Sequence, residues 1–243
     1  MSDSSINVDN KAELEHRETI ADETGSNFNT KLRNVDYEDH FLTFRRAGNH
    51  APYLQKVIEY TDGGCLEFAC GTGTQVLAID PYVEETYGIE LSHNRIELTF
   101  ERGKRMGAGT DFIMGDMFSL PFGSNAVSTS FNSGVFHHFE DGAVRQLADE
   151  ICRVTSDYVV LSVSNEWYPK GRGETSRRMK SHEYWAQLFA EHDALELVED
   201  GEYGNRLDAL YRGVTEPRPF WLIRWLKAGL PYHRSWYVFA VSD

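Results

Sequence analysis

The chain has 243 residues, of which 41% are hydrophobic, and this length and composition suit one globular domain with a full core. Its formal net charge is −14, from 38 acidic and 24 basic residues, and this excess of carboxylates repels phosphate backbones and argues against a nucleic-acid partner. The same excess is typical of proteins from salt-adapted hosts, and composition alone does not separate the two causes.

The cysteines are Cys65, Cys70 and Cys152, an odd number without the spacing of metal ligands, as expected of reduced cytoplasmic thiols. We therefore predict no metal site, and we interpret Cys65 and Cys70 as small buried side chains rather than redox groups. The first residues show no basic stretch followed by an apolar one, and no run approaches the roughly 20 apolar residues that span a bilayer. These features predict a cytoplasmic protein without a membrane partner.

The amino-terminal part of the chain divides into two. Residues 1–34 are polar and rich in Ser, Asp, Glu and Asn, which predicts a partly disordered segment ahead of a single domain over residues 35–243. From Tyr37 to Ile58 apolar residues recur at helical spacing, which predicts one or two helices. Pro52 suits the first turn of the second of these.

Strands and helices then alternate along the chain. The predicted strands are Cys65–Ala69, Glu85–Leu91, Asp111–Asp116, Ala126–Phe131, Asp157–Val163, Leu195–Gly201 and Trp236–Val241. The predicted helices between them are Ser92–Met106, Gly142–Val154 and Ser181–Glu191. This alternation predicts an α/β fold with a parallel, doubly wound sheet.

A pair of glycines follows the first predicted strand, in the segment Gly71-Thr72-Gly73-Thr74. Glycine lets the backbone turn sharply and approach a ligand closely with its amide donors. The signal is weak alone, because dinucleotide-binding enzymes place similar glycines at the same turn. Those enzymes have a further glycine three positions after the second, and here that position is Val76, which argues against a NAD cofactor.

Two acidic residues lie where the next two predicted strands end. Glu90 stands 19 positions beyond Gly71, where a carboxylate can accept hydrogen bonds from both ribose hydroxyls of a nucleoside. Asp116 ends the third strand, where a carboxylate can accept from the amine of an adenine. Taken singly, each feature has a plainer interpretation: a tight turn at the glycines, a solvated strand end at Glu90 and a helix cap at Asp116. Their common place at strand ends favours a nucleoside-binding site.

Four segments in chain order resemble class I S-adenosylmethionine-dependent methyltransferases: Leu66–Thr74, Gly88–Ser92, Gly115–Phe122 and Asn132–Phe139. Within them, the Leu-Pro-Phe stretch and the His-His pair are similar to the small-molecule group related to the ubiquinone-biosynthesis enzymes. The resemblance covers residues 60–165 in detail. One departure is Asn125, where the family usually has an acidic residue as the fourth strand begins.

This resemblance implies a Rossmann-like, mostly parallel seven-stranded sheet with helices on both faces and an antiparallel last strand. It also implies S-adenosyl-L-methionine as the cofactor and assigns residues to its parts. The residues implied around the methionine end are Glu67, Ala69, Gly71, Thr72, Gly73, Asn132 and Ser133. Those implied at the nucleoside are Glu90 on the ribose, Leu91 against the adenine, Asp116 on the adenine amine and the Met117 amide on a ring nitrogen.

The candidate catalytic residues are His137 and His138. Methyl transfer needs a group that takes the proton of the nucleophile, and imidazole titrates near neutral pH. Both histidines follow the fourth predicted strand, at the carboxyl edge where such folds bind ligands. Adjacent residues do not both face a site, and we favour His137 as the one that does. The alternative is that both pack or cap the next helix.

Residues 165–180, an insertion after the fifth strand, are a candidate wall of the acceptor pocket. They interleave Trp167 and Tyr168 with cations such as Arg177, in an otherwise acidic chain. This composition suits a lid over an aromatic or anionic substrate, because arginine pairs bidentately with carboxylate or phosphate. A solvated basic loop is the alternative.

A second insertion, residues 205–232, contains a predicted helix around Trp221 with aromatic residues on much of its circumference. That helix would wall the pocket, form a homodimer contact or simply pack in the core. The segment around Tyr37 would fold over the cofactor or, again, contribute packing.

The leading hypothesis is therefore methylation of a hydroxyl or amine of a small-molecule metabolite, with S-adenosylhomocysteine as the second product. An RNA or protein methyltransferase is an alternative, although enzymes that methylate nucleic-acid amines have a Pro-Pro-aromatic motif where this chain has Asn132-Ser133-Gly134-Val135. A regulator that binds the cofactor without turnover and a NAD(P) oxidoreductase are the remaining hypotheses.

Overall fold

The computed structural model describes residues 50–168, 178–204 and 231–242. In these ranges the chain forms one seven-stranded sheet with helices packed around it. None of the helices within them is long and apolar enough to cross a membrane. The predictions for Tyr37, Arg177 and Trp221 lie outside the described residues.

Helices and strands alternate as the sequence predicts. The strands are β1 Gly64–Glu67, β2 Glu85–Glu90, β3 Asp111–Met114, β4 Val127–Ser133, β5 Thr155–Ser164, β6 Leu195–Tyr203 and β7 Arg234–Val241. The α-helices are α1 Ala51–Glu59, α2 Val76–Ile79, α3 His93–Met106, α4 Asp141–Val154 and α5 His182–Ala190, and short 3-10 helices span Asp80–Tyr82 and Phe136–His138. Pro52 lies in the first turn of α1, as predicted.

The order of the strands in the sheet is β3-β2-β1-β4-β5-β7-β6. The first five strands pair in parallel, whereas β7 is antiparallel to both β5 and β6. This arrangement confirms the predicted mostly parallel sheet with an antiparallel last strand. The chain leaves β1 towards β2 on one side and later returns to β4 on the other. A ligand crevice is expected where the strand order reverses, at the carboxyl ends of β1 and β4.

The core has two halves, one on each face of the sheet. Along β5, Val159 and Leu161 pack into one half with α4 and α5, while Val160 between them packs into the other with α1 and α2. This alternation follows from the two-residue period of a strand that is buried on both faces. The predicted burial of Cys65 and Cys70 is confirmed, since both thiols are buried and free.

Two strand boundaries differ from the sequence prediction in ways that matter for the site. The third strand ends at Met114, so Asp116 lies two residues beyond its end rather than within it. The fourth strand runs on to Ser133, so Asn132 and Ser133 are its last two residues rather than a loop after it. Both differences arise from pairing: β3 needs partners only from β2, while β4 is held between β1 and β5 along its length.

Candidate functional site

The glycine loop, residues 69–75, leaves the carboxyl end of β1 with a backbone that requires glycine. Gly73 has a φ of +66°, and a Cβ added there would lie 2.3 Å from Thr99 Cγ2 of α3. Ala69 has a φ of +51°, a left-handed conformation that non-glycine residues seldom adopt. Such strain at the end of a buried strand is typical of ligand-binding turns.

Helix α3 holds the glycine loop by its carbonyl groups. Thr99 Oγ1 donates a hydrogen bond to the Gly71 carbonyl at 3.0 Å, and Arg102 Nη1 donates to the Thr72 carbonyl. The Arg102 side chain is 1% exposed, so its charge lies directly beneath the loop. This clamp was not predicted, because nothing in the helical pattern distinguishes Arg102 from a solvated arginine.

Glu90 lies beside the loop, as predicted. Its Oε2 accepts from the Gly71 amide at 2.8 Å and its Oε1 accepts from the Ser92 amide at 2.9 Å. The side chain is 3% exposed, and Arg95 Nη1 stands 3.8 Å from Oε2. Each carboxylate oxygen keeps a second lone pair, so this anchored group can still accept from a ligand hydroxyl. Leu91, predicted against an adenine, follows directly and is half-buried.

The contact of Glu67 is with the protein's own backbone. Its Oε2 accepts from the Val76 amide at 2.9 Å, where α2 begins, and the side chain is 3% exposed. Burial raises the pKa of Glu67 well above its usual range and the charge of Glu90 adds to this, while the Val76 amide and the charge of Arg102 oppose it. Glu67 therefore supports the end of the glycine loop where α2 begins. Its predicted position at the methionine end of a cofactor stays a prediction.

The loop amides are also partly committed within the chain. The Cys70 amide donates to the Ile89 carbonyl at 2.7 Å, and the Gly73 amide donates to the Cys70 carbonyl at 2.9 Å. With Gly71 bound to Glu90, three of the five amides of residues 69–73 have partners in the loop or in β2. The loop is thus a preformed turn, and space for a ligand lies over Gly71, where an added Cβ would meet nothing within 4 Å.

Asp116 lies next to the end of β2. The Gly115 amide donates to the Glu90 carbonyl at 3.1 Å, which places the two predicted acidic residues at one edge of the sheet. Asp116 Oδ1 accepts from the Phe118 amide at 3.0 Å, so the carboxylate also closes a turn. No helix begins at this turn, and the alternative of a helix cap is therefore wrong. Met117 is buried, with 9% of its surface exposed.

Asn132 joins β4 to the glycine loop. Its Nδ2 donates to the Phe68 carbonyl at 2.5 Å and lies 3.5 Å from that of Ala69. The side chain is 1% exposed, and its Oδ1 accepts no hydrogen bond from any residue in the described ranges. A buried acceptor without a donor costs free energy unless a ligand or water supplies one. Beside this loop, the ammonium group of a methionine moiety would be a suitable donor.

The two adjacent histidines lie in the 3-10 helix that follows β4. Their ring centroids are 4.3 Å apart, and the carbonyl of His137 accepts from the Arg178 amide at 2.8 Å. The His137 side chain is only 3% exposed, whereas His138 is half-buried. His137, the residue that we favoured for the site, is therefore packed into the domain, and His138 is the more accessible of the pair.

The described ends of the basic insertion differ in their surroundings. Trp167 is 55% exposed, and Tyr168 lies under the guanidinium of Arg234, whose Cζ is 5.1 Å from the ring centroid. Arg178 pairs with Asp141 at 2.7 Å and donates to the Phe139 carbonyl at 2.8 Å. This arginine thus ties the insertion to α4, and the roles of Trp167 and Tyr168 at a substrate stay predictions.

A polar network on this edge of the sheet was missed by sequence reasoning. His50 Nδ1 lies 3.0 Å from the Tyr203 hydroxyl and 3.3 Å from Ser133 Oγ, and the same hydroxyl lies 2.5 Å from Ser162 Oγ. His50 directly precedes α1, and the other three residues come from β6, β4 and β5. The contacts span 153, 83 and 41 positions of the chain, so no local pattern joins these residues and only the sheet order brings them together.

Asp116→Asn tests the predicted contact with an adenine. Asparagine can still accept from the Phe118 amide, so we expect the turn and the melting temperature to be kept. The loss of a charged acceptor should raise the Kd for S-adenosylhomocysteine about tenfold, as one hydrogen bond to a charged group is worth about 1.5–3 kcal/mol. Isothermal titration calorimetry measures this. Asp111→Asn, at the exposed start of β3, is the control, and equal affinities of the two variants would contradict the assignment.

Taken together, the donor and acceptor set fits a nucleoside joined to an amino acid. A carboxylate on β2 and another after β3 lie on one side of a glycine turn, and a buried amide acceptor on β4 lies on the other. Within the described ranges no group of three or more His, Cys, Asp or Glu side chains is arranged to hold a metal ion.

Comparison with known proteins supports this description. A family model described as a methyltransferase domain matches residues 65–157, the stretch that runs from the second residue of β1 through all of α4 to the start of β5. The uncharacterized methyltransferase YcgJ of Bacillus subtilis is 30% identical over 90 residues, which cover 37% of this chain and 35% of YcgJ. The chain thus matches about a third of the length of this curated relative.

Solved structures share the fold over most of the chain. The PH0226 protein of Pyrococcus horikoshii has a TM-score of 0.60 at 17% identity, covering 81% of this chain and 90% of its own. A geranyl diphosphate C-methyltransferase of Streptomyces coelicolor, solved with S-adenosyl-L-homocysteine, has a TM-score of 0.58 at 13% identity, covering 79% of each chain. At these identities the likeness concerns the fold.

Proposed function

We propose that the chain is a class I S-adenosylmethionine-dependent methyltransferase and that it methylates a hydroxyl or amine of a small-molecule metabolite in the cytoplasm; the methyltransferase-domain match over residues 65–157 and the shared fold support this. The observation that carries the proposal is the convergence of the glycine loop, Glu90 and Asn132 at the point where the strand order reverses. A rigid turn, a buried carboxylate and an unsatisfied buried acceptor within one crevice suit a ligand with hydroxyl and ammonium donors.

The site residues have separate tasks in this proposal. Glu90 would hold the ribose, Asp116 the adenine amine, and Asn132 the ammonium group of the methionine moiety. The cofactor supplies an electrophilic methyl group on a sulfonium centre, so the protein mainly orients the acceptor and removes its proton. His137 and His138 are the predicted proton acceptors, and of the two His138 has the greater access to solvent.

A small-molecule acceptor is supported by charge and by exposed aromatic side chains beyond the end of β5. The net charge of −14 disfavours a polyanionic substrate. Beside Asn165, which follows β5, Trp167 is 55% exposed and Tyr232 is 45% exposed. Aromatic side chains with a few polar groups are the usual lining of small-molecule sites. A homodimer through the Trp221 segment remains a prediction.

The test is formation of S-adenosylhomocysteine by the purified chain with S-adenosylmethionine and a panel of metabolites that carry hydroxyl or amine groups. We expect turnover with at least one acceptor and none in the acceptor-free blank. Parallel reactions contain total RNA and denatured cellular protein in place of the metabolites. Turnover with only one of these would contradict the small-molecule proposal, and binding without any turnover would favour a regulatory role.

A further inference from the structure

We propose that Asn165 is a positioning residue for the acceptor, because it joins the ends of two insertions beside the crevice. The first insertion is residues 165–180 and the second is residues 205–232. The residues concerned, which we name the Asn165 junction, are Asn165, Lys180, Glu202, Gly204, Tyr232 and His233. This inference rests on the proposed methyl transfer and deepens it, since it identifies a residue on which the affinity for the acceptor depends.

The Asn165 junction lies at the same edge of the sheet as the glycine loop. Asn165 directly follows β5, which pairs in parallel with β4, so the carboxyl ends of the two strands lie side by side. The Gly134 amide, directly after β4, donates to the Ser162 carbonyl at 3.0 Å and keeps these ends together. Asn132, near the end of β4, is bonded to the glycine loop. An acceptor on the β5 side of the loop is therefore next to the junction.

The described ends of both insertions meet around Asn165. The first insertion begins at Asn165 and ends at Lys180, and these two residues form an isolated parallel bridge. The second insertion lies between Gly204 and His233, and the His233 amide donates to the Gly204 carbonyl at 2.9 Å. The Asn165 amide donates to the His233 carbonyl at 3.1 Å and so connects the two pairs. Both insertions therefore leave the sheet and return to it at one place.

The side chain of Asn165 adds three hydrogen bonds at this place. Its Nδ2 donates to Glu202 Oε1 at 2.9 Å and to the Tyr232 carbonyl at 3.1 Å, while its Oδ1 accepts from the Trp167 amide at 3.1 Å. These partners fix the orientation of the amide group, because a flipped amide would place its oxygen against two acceptors and its nitrogen against a donor. Asn165 is 1% exposed, so one buried side chain holds the first insertion to the second.

Asn165 thereby fixes the backbone of two exposed aromatic residues, one in each insertion. Trp167 is 55% exposed and Tyr232 is 45% exposed. Aromatic side chains commonly line small-molecule sites, where they bind flat and apolar groups. In this proposal the two rings contact a flat, apolar part of the acceptor, and Asn165 sets their backbones relative to each other. Loss of its side chain then weakens binding of the acceptor and leaves the cofactor contacts intact.

Hydrogen–deuterium exchange of Asn165→Ala tests the junction without an acceptor, and so separates this inference from the proposed function. The three partners of the side chain belong to exposed residues, which water can satisfy, so the variant is expected to fold. Peptides that contain the amides of Trp167 and His233 should exchange about 10- to 100-fold faster than in the native chain, since the bond to a charged partner is lost. Peptides from the glycine loop should exchange at the native rate. Faster exchange in only one insertion, or in neither, would overturn the proposal.

Kinetics with the acceptor found in the metabolite panel test the consequence for binding. In Asn165→Ala we expect the KM for the acceptor to rise about 10- to 100-fold, while the Kd for S-adenosylhomocysteine stays within about twofold. A residue that merely stabilised the fold would change both. Gln187→Ala, which removes an exposed amide group on α5, is the control and should keep both values. An unchanged KM for the acceptor, or equal losses for the acceptor and S-adenosylhomocysteine, would refute the positioning role.

A paired substitution tests the contact with Glu202. Asn165→Asp places a second carboxylate against that of Glu202, and we expect at least as large a rise in the acceptor KM as in Asn165→Ala. Adding Glu202→Gln supplies a donor for the new carboxylate and restores the bond in the opposite direction. The double variant should therefore recover most of the lost acceptor affinity. No recovery would show that this hydrogen bond does not position the acceptor.

Discussion

Gly73→Ala is expected to lower the melting temperature by about 5–15 °C and to abolish measurable binding of S-adenosylhomocysteine. The added Cβ would lie 2.3 Å from Thr99 Cγ2 while φ is +66°. The left-handed conformation costs about 1–2 kcal/mol and overpacking a further 1–3 kcal/mol, which sums to about 2–5 kcal/mol. For a chain of this size each kcal/mol shifts the melting temperature by about 2–4 °C.

Two other glycines separate these causes. Gly71 also has a positive φ but open space around an added Cβ, so Gly71→Ala should show the backbone cost alone. Gly123 has neither feature, and Gly123→Ala should melt within about 1–2 °C of the native chain, as a surface substitution typically costs under 0.5 kcal/mol. Thr99→Ser removes the colliding methyl group and keeps the hydroxyl that binds Gly71, so it should partly rescue Gly73→Ala. Without such rescue, the contact between the loop and α3 is not the cause.

Glu90→Gln is expected to raise the Kd for S-adenosylhomocysteine about 10- to 1000-fold. Glutamine fills the same space, but only one of its two terminal atoms can accept, so one of the Gly71 and Ser92 amides would face a second donor. The neutral side chain also loses the charge that strengthens hydrogen bonds to ribose hydroxyls, each worth about 1.5–3 kcal/mol. Calorimetric titration of the variant gives the ratio directly.

Glu85→Gln is the control for this prediction, since Glu85 begins the same strand and is exposed. It should leave the Kd unchanged within about twofold, because an exposed strand end contributes little. If the two variants bind S-adenosylhomocysteine equally well, the carboxylate at the end of β2 does not hold the nucleoside. If instead NAD stabilises the native chain against heat and S-adenosylhomocysteine does not, the oxidoreductase hypothesis replaces the present one.

The proximity of the glycine loop, Glu90 and Asn132 could be predicted because these residues lie at the ends of strands. In a parallel sheet the carboxyl ends meet at one edge, so the positions of Gly71, Glu90 and Asn132 in the chain predict their neighbourhood in space. The alternation of strands and helices also predicted a parallel, doubly wound sheet, whereas the order of its strands was not predicted. Details of pairing, such as the end of β3 at Met114, depended on contacts that a local pattern does not contain.

The contact between His50 and Tyr203 could not be predicted in the same way. His50 precedes a helix, Tyr203 ends an antiparallel edge region, and their contact spans 153 positions. Histidines beside a familiar motif drew attention to His137 and His138, although the first of these is almost fully buried. The burial of Arg102 was not predicted for a related reason. A basic residue near the end of an amphipathic helix ordinarily faces solvent, and only the loop above Arg102 explains its burial.

Arg102 and Thr99 tie the glycine loop to α3, so ligand binding at the loop would be coupled to the stability of this helix. A ligand that binds the loop in this clamped conformation would also stabilise α3, and linkage requires that stabilising α3 strengthens ligand binding equally. Transient fraying of this helix would therefore lower affinity without touching any atom that meets the ligand. In the same way, saturating the crevice would slow the local opening of a segment that spans 14 residues of the surface. Ligand binding in the crevice would thus be measurable as slower opening of α3.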